Sequence, residues 1–231
     1  MKLIFVRHGE PDYEKDCLTQ LGHKQAAAAA ERLERENLDK IYASPMGRAQ
    51  ETASYTAKMT GLEINTLDFM HEISWGGEGL PENGHPWTLS DRLIQEENFD
   101  FYGKDWREHP YFKGNAATEY YDRITDKFAG VLESHGYRQD GGRFMCDTDR
   151  DETVAVFSHG GSSGSVIAGL LSLPFPYVLS EMTFDFTSIV ILEFPVNKGE
   201  YVKPRLKLFN DCEHIRGISG GLVIQKEVDR K

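Results

Sequence analysis

Lys2-Leu3-Ile4-Phe5-Val6-Arg7-His8-Gly9-Glu10 joins four consecutive apolar residues to an abrupt polar turn. A continuous apolar run, with no alternation, is the pattern of a strand buried on both faces, as a parallel sheet covered by helices requires. The polar residues from Arg7 to Tyr13 then read as a loop at the carboxyl end of that strand. The same arrangement recurs twice. Lys40–Ala43 is followed by Ser44-Pro45-Met46-Gly47-Arg48, and Thr153–Phe157 by Ser158-His159-Gly160. Ile64–Leu67 reads as one more strand.

Helical patterns fill the intervals. Thr19 is placed to cap a helix whose Ala26, Ala29, Ala30 and Leu33 keep helical spacing and which ends near Asn37. A second helix runs from the Ser44–Ala53 motif to about Thr60. A third covers Ala117–Ser134, with Tyr121, Ile124, Phe128 and Leu132 on one face. Gly136–Glu152 reads as a polar stretch. After the Ser158–Ser165 loop, Val166–Leu171 reads as a short helix. Thr183–Phe194 and Tyr201–Phe209 read as an antiparallel pair at one sheet edge. The expected fold is an α/β three-layer sandwich with a mostly parallel central sheet and helices on both faces.

Residues 70–116 break this rhythm. Gly76, Gly77, Gly79, Pro81, Gly84 and Pro86 punctuate them, and short helical pieces follow around Leu89–Glu97. Eight aromatic residues fall between Trp75 and Phe112, so the segment reads as an inserted lid within one domain of residues 1–231.

Composition narrows the possible partners. The 231 residues carry 26 Lys+Arg against 37 Asp+Glu, a formal charge of −11, with 39% hydrophobic residues. Disorder, collagen-like repetition and a disulfide miniprotein are excluded, and the acidic balance argues against nucleic acid or an anionic membrane as partner. Cys17, Cys146 and Cys212 are widely spaced and odd in number, which reads as reduced thiols. At the N-terminus only Leu3–Val6 are consecutively apolar before Arg7, His8 and Glu10, far short of a signal-peptide core or a membrane span. A cytoplasmic location is expected, and the sequence is silent on oligomeric state.

In open α/β sheets, sites form outside the carboxyl ends of the strands, so the three polar loops are expected to bring Arg7, His8, Arg48 and His159 together. Paired guanidinium forks match the oxygens of a phosphoryl group. Positive neighbours disfavour the imidazolium, so a histidine among them suits nucleophilic attack on phosphorus, and His8 is the candidate. Two other motifs lead nowhere. Asp147, Asp149 and Asp151 resemble the start of a calcium loop, but Glu152 and Ser158 stand where glycine and the bidentate glutamate belong. Gly160–Ser165 lacks the lysine of a P-loop and the glycine order of a dinucleotide site, so no nucleotide cofactor is implied.

VRHGE at 6–10, LTQLGHKQA at 18–26, SPMGRAQETA at 44–53 and VFSHGG at 156–161 together resemble the histidine phosphatase superfamily, over residues 1 to about 170. The resemblance implies that His8 becomes a phosphohistidine. Arg7, Arg48 and His159 would hold the phosphoryl group, and Gly9, Thr19, Ser44 and Gly160 would join the substrate-binding residues. It implies a proton-donating carboxyl after the third strand, which in MHEISWGGEG is Glu72, with Glu78 as runner-up. Neither a cofactor nor a metal is implied.

The expected reaction is hydrolysis of a small phosphorylated metabolite. The alternatives are an isomerase of the phosphoglycerate mutase kind and a non-catalytic phospho-ligand binder. The mutase reading expects several cations in the lid, where Trp75–Phe112 carries only Arg92, Lys104 and Arg107, and a Gly-Glu-Ser pattern, in whose place KGNAATEYYDRI stands. The aromatic, cation-poor lid points to a monophosphate with an apolar or aromatic portion.

Overall fold

The structure, a computed structural model, describes residues 1–76, 100, 103 and 105–218. Strand β1 (Lys2–Arg7) grows from the apolar run that opens the chain. A short hairpin, β2 (Pro11–Asp12) and β3 (Cys17–Leu18), precedes helix α1 (Gln20–Glu34). Then come β4 (Lys40–Ala43), α2 (Gly47–Thr60) and β5 (Ile64–Thr66). The second half holds α3 (Ala116–Ser134), β6 (Tyr137–Asp140), β7 (Arg143–Cys146), β8 (Thr153–Ser158), α4 (Gly160–Leu171) and α5 (Phe175–Glu181). Strands β9 (Ile189–Glu193), β10 (Tyr201–Val202) and β11 (Arg205–Asp211) complete it.

The main sheet has the order β11-β9-β1-β8-β4-β5. Strands β1, β8, β4 and β5 are parallel, while β9 runs antiparallel to both β1 and β11. Successive side chains of a strand point to opposite faces, and β1 divides accordingly. Leu3 and Phe5 enter a core closed by Ile124, Phe128 and Leu132 of α3 and Val166, Ile167 and Leu170 of α4. Ile4 and Val6 enter a second core with Leu33 of α1 and Ala53 of α2. The mostly parallel three-layer architecture follows from this one strand, buried on both sides.

Three segments depart from the sequence reading. Gly136–Glu152 is a β-hairpin, not a plain polar stretch. Asp140 pairs with Arg143 across a Gly141-Gly142 turn, Gly141 at φ +60° takes the left-handed conformation that turn requires, and Phe144 and Cys146 are buried. The late antiparallel pair is β9 with β11, whereas Tyr201–Val202 leaves to join β7 in a three-stranded sheet, and Thr183–Ser188 is not strand.

Helix α4 starts six residues before the expected Val166, immediately after His159. Glycine and serine are poor helix formers, but here their hydroxyls are paired inside the core. Ser158 Oγ lies 2.7 Å from Ser163 Oγ, and Ser165 Oγ donates to the Gly161 carbonyl at 2.8 Å.

Most of the expected lid, including Glu78, Arg92, Lys104 and the pieces around Leu89–Glu97, lies outside the described residues. Its flanks meet, because Ala116 N donates to Gly76 O at 2.8 Å and Gly76 N to Asn115 Oδ1 at 3.2 Å. No helix among the described residues is long and apolar enough to cross a membrane.

The loop after β1 is clamped to both helices on its face. Thr19 caps α1 by accepting from Gly22 N at 3.0 Å and donates to Glu10 Oε1 at 2.8 Å. Gly9 N donates to Thr52 Oγ1 of α2 at 3.0 Å, and Glu10 N to Gln25 Oε1 of α1 at 2.7 Å. The clamp depends on Gly22, where an added methyl would overlap the Glu10 carbonyl oxygen. A glycine-to-alanine change inside a helix ordinarily gains about 1 kcal/mol. Gly22→Ala is expected to reverse that sign and lose about 1–3 kcal/mol through overpacking, as urea unfolding would measure; a stabilised variant would contradict the close approach.

Candidate active site

Three loops meet because of strand register. Arg7 faces Ser158 across the parallel β1–β8 ladder, and Ala43 faces Phe157 across β4–β8. The residues that follow, His8, His159 and Ser44, therefore emerge side by side at one sheet edge. His8 N donates to Ser158 O at 2.9 Å and Ser44 N to Phe157 O at 2.8 Å, which carries the ladder one residue into the loops. The two imidazole rings stand edge to face with centroids 5.1 Å apart.

His8 is buried and held at both nitrogens. Its Nδ1 donates to the Gly9 carbonyl at 2.7 Å, and its Nε2 accepts from Arg48 Nε at 3.2 Å. These partners specify the Nδ1–H tautomer with the lone pair on Nε2. Burial, reinforced by the charge of Arg7, pushes the His8 pKa down to about 3, so the ring is neutral near pH 7.

His159 is the N-cap residue of α4, and its Nε2 lies 2.8 Å from Ser44 Oγ, which accepts from Met46 N at 3.3 Å. Ser44 Oγ can donate to Nε2 or accept from it, and the first arrangement puts the imidazole N–H at Nδ1. That Nδ1 is buried and has no hydrogen-bond partner among the described residues. Burial first, and then the neighbouring His8, Arg48 and Arg7, holds His159 well below the usual imidazole range.

Arg48 is buried in the first turn of α2. Its guanidinium pairs with Asp16 through Nη1 and lies 3.3 Å from Met46 Sδ through Nη2. Asp16 also accepts from Gly47 N at 2.7 Å, so the β2–β3 hairpin locks the arginine to its own helix start. Arg7 donates through Nη1 to the Phe184 carbonyl and stacks 4.4 Å above the Phe186 ring, while its Nε is buried without a hydrogen-bond partner among the described residues. Burial lowers the Arg7 pKa, opposed by Tyr13, Glu72 and Asp185.

Glu72 lies across the pocket. Its Oε1 accepts from Ile73 N at 2.9 Å and from Ser162 N, in the first turn of α4, at 3.2 Å. Burial raises its pKa above the usual carboxyl value, against the pull of those amides and of Arg7 and Arg48. The carboxylate reaches the helix only because residue 161 is glycine, since a Cβ there would lie 2.6 Å from Oε1.

Arg7, His8, Arg48, His159, Ser44 and Glu72 are thus brought together, with Gly9 and Gly160 in the adjoining backbone. The Thr19 hydroxyl is engaged in the α1 cap and with Glu10. The sequence reading passed over Asp16 and the Phe184–Ser188 loop, because neither carries a local motif and both matter only through tertiary contact. Among the described residues, no three or more His, Cys, Asp or Glu side chains are grouped so as to hold a metal ion. The arrangement combines a neutral imidazole with a free-electron-pair nitrogen facing Arg48, guanidinium and imidazole groups at one sheet edge, and a buried carboxyl of raised pKa.

A family model described as the histidine phosphatase superfamily (branch 1) matches residues 3–207. Phosphoserine phosphatase 1 of Hydrogenobacter thermophilus is 29% identical over 175 residues, covering 69% of this chain and 71% of its own. Glucosyl-3-phosphoglycerate phosphatase of Mycobacterium tuberculosis is 28% identical over 187 residues, covering 75% and 76%. A crystal structure of phosphoserine phosphatase from Entamoeba histolytica, in complex with 3-phosphoglyceric acid, shares the fold with a TM-score of 0.62 at 23% identity, covering 93% of this chain and 98% of that one.

An unfolded chain protonates each imidazole near pH 6.5, whereas folded His8 resists until about 3. The unfolded state binds more protons in that window, so stability falls as pH drops from about 7 toward 3. Urea unfolding at pH 7 and pH 4.5 should show a smaller loss for His8→Gln than for the unsubstituted protein; equal losses would contradict the buried neutral imidazole.

Proposed function

The chain belongs to the histidine phosphatase superfamily, and on that premise we propose that it hydrolyses small-molecule phosphomonoesters through a phosphohistidine on His8. The observation that carries the reading is the pair of bonds on His8, Nδ1–H to Gly9 O and Arg48 Nε–H to Nε2, which leaves a neutral ring with its nucleophilic lone pair beside two arginines.

In this reading His8 Nε2 attacks phosphorus and forms the P–N bond as the P–O bond to the leaving group breaks. Glu72 gives its proton to the departing oxygen, which leaves as an alcohol. Water then attacks the phosphohistidine and Glu72 takes its proton back. The P–N bond breaks with its electrons returning to Nε2, and inorganic phosphate is released. Arg7, Arg48 and the Nδ1–H of His159 bear the charge that grows on the phosphoryl oxygens, with Ser44 holding the His159 tautomer.

Two buried groups support this assignment. Arg7 Nε and His159 Nδ1 have no hydrogen-bond partner among the described residues, and leaving a buried polar group unpaired costs about 1–3 kcal/mol. Phosphoryl oxygens offset that cost. Gly9, Thr19 and Gly160 complete the assigned substrate-binding set. The charge neutralisation assigned to the arginines makes the proposed cycle metal-independent.

We assign residues 1–231 to one domain with an insertion at about 70–116, supported by the Gly76–Ala116 closure, and place the enzyme in the cytoplasm. Two relatives are named as phosphatases of phosphorylated metabolites, phosphoserine and glucosyl-3-phosphoglycerate. A small phosphorylated metabolite is accordingly the substrate proposed here, in preference to the mutase or binder reading.

His8→Ala should abolish hydrolysis of p-nitrophenyl phosphate, and acid-labile, base-stable phosphate should be trapped on the unsubstituted protein; activity surviving in the variant would sink the mechanism. Full turnover should persist after exhaustive chelation. Glu72→Gln should slow alkyl phosphates far more than p-nitrophenyl phosphate, whose good leaving group needs no proton, by a relative factor of about 10²–10⁴. An equal loss on both in kcat/KM, which reports only the steps up to departure of the leaving group, would move the proton donor to another residue.

A further inference from the structure

The loop Phe184–Ser188 carries no motif, yet it touches both first residues of the site. Phe184 O accepts from Arg7 Nη1, and the Phe186 ring lies under the Arg7 guanidinium and 5.7 Å from the His8 ring. Thr187 N donates to His8 O at 3.2 Å, and Arg7 N to Ser188 O at 3.2 Å. Such a loop would not hold this shape unaided. Thr187 sits at φ +56°, a left-handed conformation that is an outlier for a β-branched residue and persists only where neighbours over-determine it.

The neighbours lie at the end of β11 and just beyond it. Asp185 N donates to Asn210 Oδ1 at 2.9 Å, and Asn210 Nδ2 donates back to Asp185 Oδ2 at 2.8 Å. Asn210 is itself left-handed, at φ +52°. The Phe184 ring stands edge-on against Phe209, with centroids 5.4 Å apart. His214 Nε2 lies 3.2 Å from Thr187 Oγ1. Asn210 and His214 both fall beyond residue 207, where the family model ends.

We propose that the Asp185–Asn210 pair is a positioning brace for Arg7. By fixing the Phe184 carbonyl and the Phe186 ring, it sets the direction of the guanidinium that grips the phosphoryl group. The proposal rests on the phosphatase reading, since it assigns a cause to the aim of one of that site's arginines. Its physical content is that a guanidinium held by Nη1 on a loop carbonyl, with Tyr13 as its other side-chain partner, turns when that carbonyl moves.

The pair permits an exchange. Asn210→Asp alone sets two carboxylates against each other and breaks the bond from Nδ2. Asp185→Asn with Asn210→Asp restores both bonds, because the main-chain N–H of residue 185 and the amide introduced beside it donate to the two oxygens of the carboxylate introduced at position 210. Asn210→Asp should lower kcat/KM for p-nitrophenyl phosphate by about 10- to 100-fold, the scale of a misplaced binding group, and weaken orthovanadate binding, read by calorimetry, in parallel. The exchanged double variant should recover both to within about 3-fold. In an Arg7→Ala background, Asn210→Asp should cost less than about 3-fold.

Failure of the exchange to rescue, or a full additional loss without Arg7, would overturn the brace. Orthovanadate reads Arg7 without turnover. An unsubstituted protein that lacks phosphatase activity but binds vanadate with the same dependence on the pair would overturn the phosphatase reading and support the brace.

Discussion

A parallel ladder in which Arg7 faces Ser158 makes the chain leave β1 and β8 at one level of one sheet edge. His8 and His159 are the next residues on those strands, so their proximity is a consequence of register. A slip of one residue would send Leu3 and Phe5 to the opposite core and move both histidines off the edge. Burial of β1 on both faces forbids that slip. The strand that organises the cores thus also sets the site.

Electrostatics follows from the same placement. Two arginines stand beside two histidines in a protein of net charge −11. Burial and the neighbouring cations both oppose protonation of the imidazoles, so the two rings stay neutral. Arg48 is compensated by Asp16, a residue of the small hairpin. Arg7 has instead a backbone carbonyl and an aromatic face. Tyr13, Glu72 and Asp185 act on its charge from nearby.

Helix α4 serves the site from its other end. His159 precedes its first residue, and the Ser162 amide in its first turn points at Glu72. The positive end of the helix dipole favours the carboxylate, while burial favours the carboxylic acid. Burial prevails, so the Glu72 pKa stands above the usual carboxyl value although two amides and two arginines pull the other way. The Gly/Ser composition of the first turns lets Glu72 and Ile73 approach so closely.

The apolar runs at 3–6, 41–43 and 154–157 determined the parallel sheet, because only a strand covered on both faces can carry so many consecutive apolar residues. The polar loops that follow them determined which residues share the edge. The caps at Thr19 and the helix-spaced apolar faces were equally local, and local rules read them. The Gly141-Gly142 hairpin was legible from its turn chemistry and passed over. The start of α4 was not legible, since glycine and serine argue against helix until Ser158, Ser163 and the Gly161 carbonyl supply partners from the packed core. The compensation of Arg48 by Asp16, the tautomer of His8 and the Asp185–Asn210 pair were decided only by tertiary structure. Each joins residues distant in sequence through hydrogen bonds whose geometry exists only once the sheet edge is assembled.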